Sequence, residues 1–215
     1  MSYEKNLTEI VFVLDRSGSM KPLEEDTIGG FNEFIEKQRK IEGEAYITTV
    51  LFDTSYQVLH EHVALDEVKP LTKDDYSACG GTALLDAVGR TIDNLGVRLS
   101  NTPEEERPEH VIFVITTDGE ENSSMSYSLQ KVREMIEHQQ EKYSWQFIFL
   151  GANMDAVSEA GKLGICASHA ANFTPSHSGV RSMYSRALND VVYSARIGIF
   201  DIGSDWKSSL ETDEK

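Results

Sequence analysis

Val11-Phe12-Val13-Leu14-Asp15-Arg16-Ser17-Gly18-Ser19-Met20 decides the reading of this chain. Its first four residues form a continuous apolar run of valine, phenylalanine and leucine, the pattern of a strand covered on both faces in the middle of a parallel sheet. The run then stops on a carboxylate and two hydroxyls at alternate positions. A buried strand ending in Asp-x-Ser-x-Ser presents oxygen ligands at the end of a sheet, the donor type that hard divalent cations take.

Similar apolar runs predict strands at Glu9–Leu14, Ala45–Phe52, Tyr56–His62, His110–Thr116 and Trp145–Leu150, with a short one near Cys166–Ala170. Helical periodicity fills the gaps. Leu84, Val88, Thr91, Ile92 and Leu95 mark one apolar helix face, and Val180, Met183, Tyr184, Ala187, Leu188, Val191, Val192 and Ala195 mark a longer one, about Gly179 to Ile197. Ile28, Phe31, Phe34 and Ile35 predict a first helix from about Leu23 to Ile41 that runs through Gly29-Gly30. Each glycine costs roughly 1 kcal/mol in a helix interior, so close packing is expected there. Ser126–Glu141 and Asp155–Leu163 supply two more helices, the second ending near Gly164.

Strand and helix alternate, which predicts a doubly wound α/β fold: a mostly parallel central sheet of about six strands with helices on both faces. Asp53-Thr54-Ser55 reads as a hairpin turn that adds one antiparallel edge strand. Residues 1–204 are expected to form a single domain, and residues 205–215 a polar, frayed tail.

Composition narrows the function. A formal charge of −16 over 215 residues argues against nucleic acid or an acidic membrane surface as partner. No basic segment precedes an apolar run at the N-terminus, and no stretch has the length of a membrane span, so a cytoplasmic location is expected. Cys79 and Cys166 are too few for a disulfide framework and are expected to be reduced, with no zinc-ligand spacing around them.

Ligands of doubly wound sheets bind beyond the carboxyl ends of the strands, at the switch point. Oxygen-bearing side chains stand there in Asp15-Arg16-Ser17-Gly18-Ser19, in Cys79-Gly80-Gly81-Thr82 before a helix, and in Thr116-Thr117-Asp118-Gly119-Glu120-Glu121-Asn122 after a strand. Gly18 and Gly80-Gly81 permit the turns and close approach that such loops need.

These three segments, in this order, resemble the von Willebrand factor type A domain, the fold also seen in integrin inserted domains. The resemblance covers about residues 7 to 200 and matches all five positions of that family's metal-ion-dependent adhesion site: Asp15, Ser17, Ser19, Thr82 and Asp118. It implies a Rossmann-like fold and direct coordination by Ser17 and Ser19. Asp15 and Asp118 would bind directly or through water, and Thr82 in the ligand-competent state. In relatives the C-terminal helix slides as the metal site rearranges; the apolar stripe of the last helix here fits that role and plain core packing equally.

The donor chemistry agrees. Mg²⁺ takes six oxygens in octahedral geometry and keeps several waters, which suits hydroxyls with only two carboxylates; Mn²⁺ and Ca²⁺ are the other cations such donors admit. A cation so lightly neutralised stays electrophilic and can accept an Asp or Glu from a partner protein. The expected function is therefore metal-dependent protein binding without catalysis, as subunit or adaptor of an intracellular complex. Intracellular stand-alone members of bacterial type imply an AAA+ ATPase or a stress-response assembly as its setting.

Two alternatives compete. A Mg²⁺-dependent hydrolase could use Asp15 and Asp118. However, a haloacid-dehalogenase-type phosphatase places a second Asp where Ser17 stands, and a receiver-type phosphoacceptor needs an acidic pair at the end of the first strand. The other alternative is a structural subunit with an incidental metal. No Gly-x-Ser-x-Gly elbow, Walker loop or Gly-x-Gly-x-x-Gly occurs. His60-x-His62 places two imidazoles on one face of a strand without a third ligand, which reads as an exposed edge. Cys79 reads as buried or inert, and Glu120 and Glu121 as solvated rim carboxylates.

Overall fold

The computed structural model describes residues 7–199 and 205–211. Its elements in chain order are β1 (Leu7–Asp15), α1 (Glu24–Gln38), β2 (Glu44–Phe52), β3 (Tyr56–Ala64), α2 (Leu84–Asn101), β4 (His110–Thr117), α3 (Leu129–Tyr143) and β5 (Gln146–Gly151). They continue with α4 (Ala156–Lys162), β6 (Ala170–Asn172), α5 (His177–Ser182), α6 (Leu188–Arg196) and α7 (Ser208–Glu211).

The strands make one six-stranded sheet in the order β3-β2-β1-β4-β5-β6, parallel except for β3, which runs antiparallel to β2. The expected doubly wound α/β fold is thus present with its antiparallel edge. The chain moves from β1 outward through β2 and β3, then returns to the other side of β1 as β4, so the switch point lies between β1 and β4. Leu14 pairs with Thr116, which brings the carboxyl ends of these two strands level.

Every residue of β1 and β4 is buried, as their apolar runs require. Ile10, Phe12 and Leu14 face α1, α5 and α6, while Val11 and Val13 face α2, α3 and α4, giving one core on each side of the sheet. Phe12 meets Phe31 and Phe34 of α1 edge-on, at ring-centroid distances of 5.2 and 5.1 Å.

The packing expected at Gly29-Gly30 involves only the second glycine. A Cβ on Gly30 would lie 2.4 Å from Cδ2 of Tyr184, whereas Gly29 has open space. Tyr184 belongs to a π-turn, Met183–Ala187, that joins α5 to α6. Gly30→Ala is therefore expected to lower the unfolding free energy by about 1–3 kcal/mol in urea titration, overriding alanine's better helix propensity. Gly29→Ala should not.

Several boundaries differ from expectation. β6 begins at Ala170, because Cys166 opens a 3₁₀ turn over Ala167–His169. α3 starts at Leu129 because Asp86 Oδ1 accepts the Ser126 and Tyr127 amides, and Ser128 then caps the helix. Residues 205–211 are not frayed: Asp205–Lys207 and α7 fold back, with Trp206 and Leu210 buried in the core beneath α5 and α6. The rest of the expected tail lies outside the described residues. No helix among those described is long and apolar enough to cross a membrane.

The reading of His60 and His62 also changes. Register shifts interrupt the β2–β3 pairing, and His62 adopts a left-handed φ of 49°. Instead of sharing one face, the two imidazoles point to opposite faces. His60 is buried over the Phe31 ring, while His62 stacks on Tyr46 and sets Nδ1 2.7 Å from Oε2 of Glu9. Glu9 is a fully buried carboxylate in β1. It also accepts from the Thr48 hydroxyl at 2.6 Å and lies 2.9 Å from Nη2 of Arg98, an ion pair not aligned as a hydrogen bond. Burial raises the Glu9 pKa, but the hydrogen bond to His62, the charge of Arg98 and the Thr48 hydroxyl together hold it below the ordinary carboxylate value.

Candidate metal centre

Asp15 closes β1 with no solvent exposure. Its Oδ1 accepts the Ser17 amide at 2.6 Å and its Oδ2 accepts the Thr117 hydroxyl at 2.6 Å. The backbone carbonyl of Asp15 accepts from the Tyr76 hydroxyl. Burial drives the Asp15 pKa up to about 6 against these hydrogen bonds, and the neighbouring Asp118 charge adds to the rise.

Ser17 and Ser19 sit on the turn after β1, their hydroxyl oxygens 3.1 Å apart. Ser19 then donates to Oδ1 of Asp118 at 2.5 Å, joining the first segment to the loop after β4. Burial raises the Asp118 pKa too, opposed by the Ser19 hydrogen bond. Asp15, Ser17, Thr82 and Asp118 are buried, whereas Ser19 is exposed and opens the cluster to solvent.

Thr82 enters from the second loop, and a Cβ on Gly119 would meet Thr82 Oγ1 at 3.3 Å and Ser19 Oγ at 3.5 Å. The absence of a side chain at Gly119 thus leaves a cradle lined by hydroxyls from two different loops. The structure therefore brings all five expected residues to one place.

The loops are fastened to each other through backbone. The Gly18 amide donates to the Gly80 carbonyl at 3.0 Å, and the Cys79 amide to the Arg16 carbonyl at 2.9 Å. Gly80 holds a φ of +72°, a conformation that glycine adopts without strain. The Thr82 amide donates to Asn122 Oδ1 at 2.9 Å, and the Asn122 amide returns a bond to the Thr82 carbonyl at 3.0 Å. Arg16 anchors the first loop sideways, with Nε 2.9 Å from Asp53 Oδ2 and Nη1 2.7 Å from Gln57 Oε1.

The sequence reading missed Thr117, Tyr76 and Asn122. Thr117 was visible as the neighbour of Asp118, but only strand pairing aims its hydroxyl at Asp15. Tyr76 lies in irregular chain without periodicity, and Asn122 acts through its amide oxygen on a residue 40 positions away. Glu121 is not a solvated rim carboxylate: it accepts the Leu85, Ser123 and Ser124 amides and so begins α2. Glu120 is exposed as expected. Cys79 is exposed instead of buried, its Sγ 3.7 Å from Asp53 Oδ2. Asp86 accepts the Met125, Ser126 and Tyr127 amides and holds Met125 94% exposed on the loop that carries Asp118.

The donors suit a small hard cation. In an octahedron with metal–oxygen distances of about 2.1 Å, adjacent oxygens lie roughly 3 Å apart, and Ser17 Oγ and Ser19 Oγ are separated by 3.1 Å. Among the described residues no group of three or more His, Cys, Asp and Glu could hold a metal, so soft or nitrogen-rich coordination is not built elsewhere in them.

Proximal thread matrix protein 1 from the mussel byssus has a similar fold, with a TM-score of 0.59 and 18% identity over 88% of this chain and 46% of that one. A second structure of that protein, described as having a zinc-occupied MIDAS motif, aligns with a TM-score of 0.56 and 20% identity over the same shares. A von Willebrand factor type A structure from Catenulispora acidiphila gives 0.54 and 18% over 83% of this chain and 42% of that one. The chain thus spans less than half the length of these structures. No protein-family model matches the chain. No curated protein matches it either.

Proposed function

We propose that this protein is a von Willebrand factor type A module in which Asp15, Ser17, Ser19, Thr82 and Asp118 hold a divalent cation, Mg²⁺ first, for docking a partner protein. The observation that carries the reading is the Ser17–Ser19–Asp118 chain of oxygens, 3.1 and 2.5 Å apart, closed over the buried Asp15. The similar fold of a protein described as having a zinc-occupied MIDAS motif supports it. When bound, the cation supplies an electrophilic coordination position for an Asp or Glu of the partner. The chain's own residues do the rest. Thr117 and the Ser17 amide orient the Asp15 carboxylate, Asn122 fixes Thr82, and the exposed side at Ser19 leaves access. Met125, fixed outward on the same loop, offers apolar contact beside an acidic group.

With only two carboxylates and no paired Asp at the first strand end, the residues favour binding over hydrolysis. Subunit or adaptor of a larger intracellular assembly, of AAA+ or stress-response type, is the setting this reading assigns.

Calorimetric titration with Mg²⁺ tests the site. One cation per chain is expected, with affinity at least about tenfold weaker in Asp118→Ala; unchanged affinity would remove Asp118 from the site. For docking, proteins retained by the immobilised chain in Mg²⁺ should be lost with chelator and on Asp118→Ala. Retention of the same proteins in all three conditions would overturn the metal as docking point. Turnover of phosphate esters that Asp15→Ala abolishes would overturn the non-enzymatic reading.

A further inference from the structure

A second concave site lies at the opposite end of the sheet from the candidate metal centre. Its lining comes from the last turns of α2, the segment entering β4 and the end of α3, which enclose a cavity of about 340 Å³. That volume falls in the range of roughly 300–1,000 Å³ that small-molecule sites occupy. Val111 and Trp145 form its buried floor, and the Phe113 ring, stacked on Trp145 at a centroid distance of 5.5 Å, holds the indole in one orientation. Ser144, with a left-handed φ of 55°, ends α3 so that Trp145 turns inward while Tyr143 stands 60% exposed at the mouth. His138, also on α3, meets the Tyr143 ring edge-on at 5.8 Å.

Gly96 lies on the α2 side of this cavity, and a Cβ there would meet nothing within 4 Å. A glycine inside a helix costs roughly 1 kcal/mol against alanine, and here no neighbour requires its smallness. What the missing side chain leaves is open space at the cavity wall. Arg107 and Glu109 stand at the mouth on either side of Pro108. Arg107 Nε donates to the Thr102 carbonyl at 2.9 Å, which fixes the guanidinium and leaves both Nη groups without a hydrogen bond or ion pair among the described residues. The Glu109 amide donates to the Leu7 carbonyl at 2.8 Å, whereas its carboxylate makes no hydrogen bond or ion pair among them, Arg107 included.

We propose that this cavity binds a free aromatic amino acid as its zwitterion. The Arg107 Nη groups donate to the ligand carboxylate, and the Glu109 carboxylate accepts from the ligand ammonium. The ligand ring enters between Tyr143 and Gly96 and covers Trp145, where an aromatic surface gains most from being buried. Charge complementarity selects the class. A plain carboxylate would meet Glu109 and a plain amine would meet Arg107, so a ligand carrying both charges on one carbon satisfies the mouth while its ring fills the apolar floor. An aromatic residue at a peptide terminus keeps only one of the two charges and fits less well for that reason.

Calorimetric titration of the full chain with L-phenylalanine at pH 7 tests this. One saturable site per chain is expected. The ligand's own deletion analogues, 3-phenylpropionate without the ammonium and 2-phenylethylamine without the carboxylate, should each bind about tenfold or more weakly. Arg107→Gln should bind L-phenylalanine about tenfold more weakly and no longer prefer it to 2-phenylethylamine, and Glu109→Gln should lose the preference over 3-phenylpropionate in the same way. Gly96→Leu should abolish binding by filling the wall, and its thermal unfolding midpoint should be no lower than the parent's, since leucine is the better helix former. Absence of saturable binding at millimolar L-phenylalanine would overturn the proposal. So would equal affinity for either analogue, or undiminished binding in Gly96→Leu.

Discussion

Asp15→Asn is expected to stabilise the chelator-treated protein at pH 7 by about 1–3 kcal/mol while abolishing the proposed Mg²⁺ binding. Asp15 is fully buried, and its pKa rises from 3.8 to about 6, so at neutral pH the fold holds a charge that burial disfavours. A rise of that size corresponds to roughly 3 kcal/mol between the two protonation states, as an upper bound on the gain. The sign follows from linkage. Folding raises this pKa, so the folded state binds the proton more tightly than the unfolded chain does. The stability contributed by protonation is present in full below about pH 3.8 and is lost as pH rises through about 6. Asparagine removes that dependence. Its oxygen can accept the Ser17 amide, and its nitrogen can donate to Thr117, whose hydroxyl also lies 2.9 Å from the Gly119 carbonyl. Urea unfolding of both proteins in chelator, from pH 4 to 8, checks this. The two stability curves should diverge between about pH 4 and 6 and run parallel above. A variant less stable than the parent at pH 7 would contradict the prediction, and one that still binds Mg²⁺ would exclude Asp15 from the site.

Arg98→Met should have the opposite sign, a loss of about 2–4 kcal/mol. The methionine keeps much of the apolar stem of Arg98, so the packing of this end of α2 on the sheet is little changed. What is lost is the guanidinium 2.9 Å from Glu9, leaving a fully buried carboxylate with His62 and Thr48 alone. Removing one member of a buried pair costs more than removing both, because the remaining charge keeps its desolvation penalty. Glu9→Gln together with Arg98→Met is therefore expected to recover part of the loss, and a double-mutant cycle isolates the coupling. The Glu9 pKa is depressed in the folded protein, so its contribution is present above the unfolded value of about 4.5 and disappears as acid protonates it. In Arg98→Met that acid-dependent part should shrink.

The central strands were legible because burial on both faces leaves a mark in composition: β1 and β4 carry apolar runs that leave few other interpretations. The proximity of Asp15, Ser17, Ser19, Thr82 and Asp118 was legible for a related reason, since each follows or precedes such an element within a few positions. What escaped depends on pairs distant in the chain. Tyr76 reaches Asp15 across 61 positions, and Thr117 does so across 102. The placement of His62 escaped because a bulge reverses the face of a strand without changing the residues in it. Glu121 escaped because a carboxylate that accepts backbone amides has the same sequence appearance as one that faces water. The helical fold-back at Trp206 and Leu210 was hidden by polar neighbours, where two apolar residues four apart suffice to seat one turn.

The two margins of the sheet have a consequence for how the protein behaves when crowded with copies of itself. One margin is β6, with only three residues, and the other is β3, whose ladder is broken by the bulge at His62. Neither presents the long, regular row of open amides and carbonyls on which a further strand could be templated. With a charge of −16 adding mutual repulsion, growth of sheets from chain to chain is blocked at both ends. Concentrated samples should therefore resist fibrillar aggregation, and a variant that straightens β3 at His62 would be the place to look for its return.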